Sequence, residues 1–130
     1  MPITQTRFQD GIFFCREEGE ISAEDAQYWA EQASFYAGQS SYPIVALIDA
    51  TEATYVTAAA RRIFARASAI PNLHDAAVAT HNARVMHNAR LTVMLAVDKH
   101  TRIFDDIEKA TQFAVNRARL LRDLHGSAPV

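Results

Sequence analysis

The chain reads as an α/β domain: a mixed, mostly parallel five-stranded sheet with helices packed on it. Three observations predict this. The segment Ile44 to Ile48 is apolar on consecutive residues, as in a parallel strand covered on both faces. Asp10-Gly11 separates two strand-like segments and matches the tight hairpin turn whose central residues need positive φ. Downstream, short β-type runs alternate with helically spaced apolar residues, the pattern of successive βα units with right-handed crossovers.

Taken in order, residues 3–8 alternate polar and apolar and predict a first strand, and Ile12 to about Ile21 a second. Ser22 is placed as an N-cap, with Asp25 three residues later imitating a capping box. Ala26, Trp29, Ala30, Ala33 and Ala37 give the following helix one apolar face, and Gly38 is placed to end it. "SSYP" is the loop before the third strand, Ile44 to Ile48, which ends in Asp49. A Thr-rich turn (Thr51, Thr54, Thr57) leads into a second helix from Ala58 to Ser68, with Ala60, Ile63, Phe64 and Ala67 inward. Pro71 and Asn72 break the pattern, and "DAAVAT" (75–80) is a short fourth strand.

A third helix begins near His81-Asn82 and runs to about Val97. "RLTVMLAV" is rich enough in Val and Leu for a strand, but Met86, Ala89, Val93 and Val97 continue a helical stripe. Leu91, Met94 and Leu95 lie partly off that stripe, so this helix needs a second partner. That partner is either another subunit or the rest of the core. "TRIF" (101–104) is the fifth strand, and Asp105 with Glu108 matches a capping box for the last helix. There Ile107, Ala110, Ala114, Ala118 and Leu121 share a stripe, and Arg117, Arg119 and Arg122 suit the end of the helix dipole. The order is β-β-α-β-α-β-α-β-α, one domain over residues 1–130.

Composition narrows the function classes. Hydrophobic content is 49%, charged content 22%, and the net charge is −2, which gives no electrostatic reason to expect nucleic acid. One cysteine, Cys15, excludes an internal disulfide and a cysteine-based metal cluster. It lies in an apolar strand and reads as a buried, inert thiol. No apolar run reaches the ~20 residues that span a bilayer, and "MPITQTRF" lacks a signal-peptide apolar region. A cytoplasmic location without membrane insertion is the resulting expectation. Four glycines leave no room for a phosphate loop or a dinucleotide fingerprint, so no cofactor is expected.

This element order, with the "VALID" strand and the "RIFDDIEKATQF" ending, resembles the STAS-like superfamily. Within it the chain is similar to the small SpoIIAA-like proteins, which also resemble the Sec14-type lipid-binding fold. The resemblance runs from Ile3 to about Leu121. It implies a small regulatory or binding domain rather than an enzyme. In the anti-sigma-factor antagonists of that superfamily, an Asp ends the central strand, followed by a phosphorylatable Ser or Thr and then a Gly. Asp49 matches the Asp, but Ala50 stands at the phosphoacceptor position and Glu52 in place of the Gly. The resemblance therefore does not carry the phosphoswitch over; Thr51 comes one residue late.

Candidate site residues cluster at predicted strand ends. Asp49, Thr51, Thr54 and Thr57 offer a switch or an anion-binding hydroxyl at a helix N-terminus, or simply an N-cap, with Thr57 best placed. His81, Asn82 and Arg84 could hold a phosphate or carboxylate, or form a solvated helix start. No metal site is expected: His81 and His87 miss the i,i+4 spacing, and His74, His100 and His125 sit in loops or at chain ends. Asp105 and Asp106 are explained by capping. Three functions follow. The first is a STAS-like module acting by protein contact, a homodimer through the helix around Met86 to Val97. The second is a binder of a small apolar or lipid-like ligand in a cavity lined by Phe64, Met86, Trp29 or Phe113. The third is an enzyme using His81, Arg84 and Asp49, for which spacing shows no nucleophile–base pair; no catalytic residue is assigned.

Overall fold

A computed structural model describes residues 2–95 and 100–126 of the chain. The strands are β1 (Ile3–Gln9), β2 (Ile12–Ile21), β3 (Ile44–Val56), β4 (Leu73–Ala79) and β5 (Thr101–Phe104). Helices are α1 (Ala23–Gln39), α2 (Ala58–Ala67), α3 (Ala83–Leu95) and α4 (Ile107–Gly126). The sheet runs β1-β2-β3-β4-β5. β1 pairs antiparallel with β2, and every later neighbour is parallel.

Sequence-local signals build the hairpin and the first helix. Asp10 and Gly11 take φ values of 53° and 78°, the left-handed pair that a two-residue turn requires. Ser22 closes a full capping box with Asp25. Gly38 does not end α1, however. The helix continues to Gln39, because its free carbonyls find a distant donor. The Asn72 side-chain amide donates to the carbonyls of Ala37, Ser40 and Tyr42 at 2.9–3.1 Å. Asn72 itself sits at φ 70°, a conformation asparagine tolerates better than most residues.

The largest correction concerns β3. Its strand does not stop at Ile48 but continues through Val56, so Thr51 and Thr54 lie in strand rather than in a turn. β2 explains this: it remains paired with β3 out to Ile21 against Val56. Thr51, Thr54, Tyr55 and Val56 are β-formers, and two register shifts, after Asp49 and after Ala53, absorb extra residues on β3. β4 leaves the ladder at Ala79, opposite Asp49. The second half of β3 therefore overhangs its neighbour.

The core has two layers. On one face Phe13, Cys15, Ile44, Ala46, Ile48 and Ala50 pack against Trp29 and Ala33 of α1, Ala60 of α2 and Val85 of α3. On the other, Val45, Leu47, Ala77 and Ala79 meet the α4 stripe of Ala110, Ala114, Ala118 and Leu121. Small residues there let α4 approach the sheet closely. The 90–95 part of the ambiguous segment is helix; Val97 lies outside the described residues. α4 is capped by Asp106, not Asp105: Asp106 Oδ1 accepts from the amides of Glu108 and Lys109.

Candidate functional site

At the β3 overhang the three threonines do different work. Thr51 donates its hydroxyl and its amide to Asp49 Oδ1, at 2.6 and 3.1 Å. Thr54 is exposed on the strand. Thr57 is the N-cap of α2, its hydroxyl accepting the Ala60 amide at 3.1 Å. Ala50 is fully buried, and Glu52 lies 3.8 Å from Arg16 across the β2–β3 pair.

The second cluster divides. Asn82 caps α3, its Oδ1 accepting the amides of Arg84 and Val85. Arg84 stacks its guanidinium over Tyr55, 5.0 Å from the ring centroid. It joins Tyr55, Arg61, His87, Asn88 and Leu91 around a shallow cleft of about 450 Å³ beside the overhang. His81 is exposed, on the side of Asp105. The Lys109 ammonium, hydrogen-bonded to Asp105, holds that exposed carboxyl below its usual range, and His81 adds a smaller pull. Arg84 lines that cleft, and Asp49 and His81 are not among its lining residues.

Strand order brings together residues that were expected in loops or at chain ends. His74 lies in β4, and His100 precedes β5, the neighbouring strand. Donor atoms of His74, Asp75 and His100 fall within 4.8 Å of one another, and the two imidazoles stack at 5.3 Å. Buried Asp75 already takes His74 Nδ1 at 2.8 Å and Arg117 Nη1 at 3.3 Å on one oxygen. A guanidinium on the carboxylate opposes a cation there, and the arrangement is sufficient as a structural ion-pair network.

On the three-helix face lies a cavity of about 70 Å³. Glu17, Trp29, Ile48, Phe64, Val85 and Ala89 are among its walls. Trp29 and Phe64 were expected at such a cavity. Met86 and Phe113 are not among its lining residues, and Phe113 packs on the α4 face instead. Glu17 was missed. It is 4% exposed, and its Oε2 has no hydrogen-bond partner. Burial first, and the Asp25 carboxylate second, push its carboxyl up from 4.5 to about 8. The Trp29 indole N–H has no oxygen acceptor among the described residues and is directed at the Cys15 thiol, a weak acceptor.

The α4 face carries a second opening. α4 covers β3 and β4, and beside it a groove of about 520 Å³ exposes the β1–β2 side of the sheet. Its walls include Ile12, Phe14 and Leu47, with Arg7, Arg119 and Arg122 against the single carboxylate of Asp10. Arg7 lies over Phe14 at 4.5 Å.

The architecture is the SpoIIAA-like fold. The chain superposes on an anti-sigma factor antagonist from Mycobacterium paratuberculosis with a TM-score of 0.65 at 18% identity, covering 86% of this chain and 93% of that one. It also superposes on an uncharacterized DUF3478-family protein with a SpoIIAA-like fold from Shewanella loihica PV-4. There the TM-score is 0.56 at 20% identity, over 86% of this chain and 91% of that one. No protein-family profile and no curated protein sequence matches the chain. Among the described residues, no helix is long and apolar enough to cross a membrane.

Proposed function

We propose that this chain is a non-enzymatic STAS-like regulatory module that acts through protein contacts and without the phosphoswitch. The carrying observation is the groove beside α4: an apolar floor rimmed by three arginines and one aspartate. A surface of that kind suits an acidic amphipathic partner, because arginine pairs with carboxylates bidentately and apolar floor supplies burial. The fold likeness to an anti-sigma factor antagonist supports a regulatory role. Loss of the switch is supported at the site itself. A buried alanine fills the phosphoacceptor position, and the adjacent Thr51 hydroxyl is spent on Asp49. Self-association through the helix around Met86 to Val97 is part of this reading; Leu91 of α3 is half-buried at the cleft, and Val97 lies outside the described residues.

Titrating a Glu/Leu-rich amphipathic peptide into ¹⁵N-labelled protein tests the groove. Shifts confined to Arg7, Phe14, Val115 and Arg122, lost in Arg122→Glu with Arg119→Glu, are expected. Saturable binding that ignores the double charge reversal would remove the groove as the contact surface.

A second reading, binding of a small apolar ligand, is supported by the cavity around Glu17 and Trp29.

A further inference from the structure

We propose that the cavity walled by Glu17, Trp29, Ile48, Phe64 and Val85 takes a small, uncharged, mainly apolar molecule bearing one hydrogen-bond-accepting oxygen, a carbonyl or hydroxyl. This rests on the ligand-binding reading and gives it a chemistry.

The argument begins with what the cavity lacks. Among the described residues its lining holds no lysine, arginine or histidine, and Glu17 is the one titratable residue there. An acid buried this completely stays neutral at neutral pH, because desolvation disfavours the charged form. Neutral Glu17 is then an O–H donor, and Oε2 has no partner among the described residues. A buried polar group without a partner is destabilising, and among the described residues Glu17 Oε2 has none; the Trp29 indole N–H in the same wall has only the Cys15 sulfur, a weak acceptor. A carbonyl oxygen has two lone pairs, so one such atom satisfies an O–H and an N–H together. The hydroxyl of Thr92, also in the wall, is already committed to the Asn88 carbonyl at 3.0 Å.

Size and charge narrow the class further. One water takes about 10–15 Å³ on this scale, so the cavity of about 70 Å³ admits a molecule of only a few heavy atoms. A charged ligand would enter an apolar pocket without a fixed counter-ion, at high desolvation cost. A cation would have to displace the Glu17 proton first. Asp25 and Cys15 are the other titratable groups that act on Glu17, and neither is a cation.

Trp29 is the chain's single tryptophan, so its indole N–H is one unambiguous NMR resonance. The test titrates 2-butanone and, separately, n-butylamine into ¹⁵N-labelled protein at pH 6.5. A saturable shift of the indole N–H with 2-butanone, and none with n-butylamine, is expected. Glu17→Leu keeps the wall apolar and removes the donor; it should weaken 2-butanone by up to about tenfold, the worth of one good hydrogen bond. Glu17→Gln keeps an N–H donor and should largely restore binding. Saturation by n-butylamine alone overturns the proposed chemistry and leaves a cation site. Equal 2-butanone binding by Glu17→Leu overturns the role of Glu17. Silence of the indole toward both probes overturns the proposal together with the ligand-binding reading.

Discussion

The Asn88 side-chain oxygen accepts the backbone N–H of Val56 at 3.0 Å, a buried bond between residues 32 positions apart. It exists because β3 outruns β4: past Asp49 the strand has lost its partner on that side. α3 supplies the acceptor instead, and Arg61 Nη1 donates to the Val56 carbonyl at 2.8 Å. An edge left bare in the interior would cost far more than a surface edge. Asn88→Leu strands the Val56 amide, and a loss of about 1–3 kcal/mol is expected. Urea unfolding of parent and variant checks it; equal midpoints would mean that the overhang is not held this way.

Threonine substitutions separate capping from switching. Thr57→Ala should lower stability by about 0.5–2 kcal/mol, since the hydroxyl caps α2. Thr51→Ala should leave the fold intact, because its bond to Asp49 is local and half-exposed. Thermal melts of both read the difference. A Thr57→Ala melting temperature equal to the parent's removes the cap assignment.

Glu17 makes stability depend on pH with a definite sign. Its folded carboxyl is raised to about 8 from an ordinary 4.5, so between those values the folded state holds a proton that the unfolded state has released. Stability therefore falls as pH rises across that window, by roughly 3–5 kcal/mol if Glu17 acts alone. Glu17→Gln removes this slope. Denaturant midpoints of both proteins at pH 5 and pH 8 check the prediction: the parent should lose stability relative to the variant on going to pH 8. Parallel pH dependences would contradict it.

Cys15 should be chemically silent in the folded protein. Burial first, and the charge of Glu17 second, raise its thiol well above the usual range; the thiolate is the reactive form. A disulfide-exchange reagent such as DTNB should label it only at the rate of unfolding. Fast stoichiometric labelling of the native protein would contradict the burial of β2.

The sequence was readable where the cause is local. The Asp10-Gly11 turn, the Ser22–Asp25 box and the α4 alanine stripe all lie within a few residues of their effects. It misled where the cause is distant. Gly38 looked like a helix stop, but the carbonyls of the α1 end are satisfied from Asn72, 35 residues from Ala37. β3 looked finished at Asp49 because its apolar run stops there, yet a ten-residue β2 needs a partner as long as itself. His74 and His100 met only once strand order placed β4 beside β5. Glu17 was legible in principle. Phe13 and Cys15 face the three-helix side, and the two-residue period of a strand carries Glu17 to the same face. In a run reading "REEGE" that acid passes for a solvated one.

Native mass spectrometry across a concentration series tests protein contact through α3 most directly. A dimer at micromolar concentration is predicted, dissociating to monomer in Leu91→Glu. A parent protein that stays monomeric throughout, or a Leu91→Glu dimer as stable as the parent's, would contradict it.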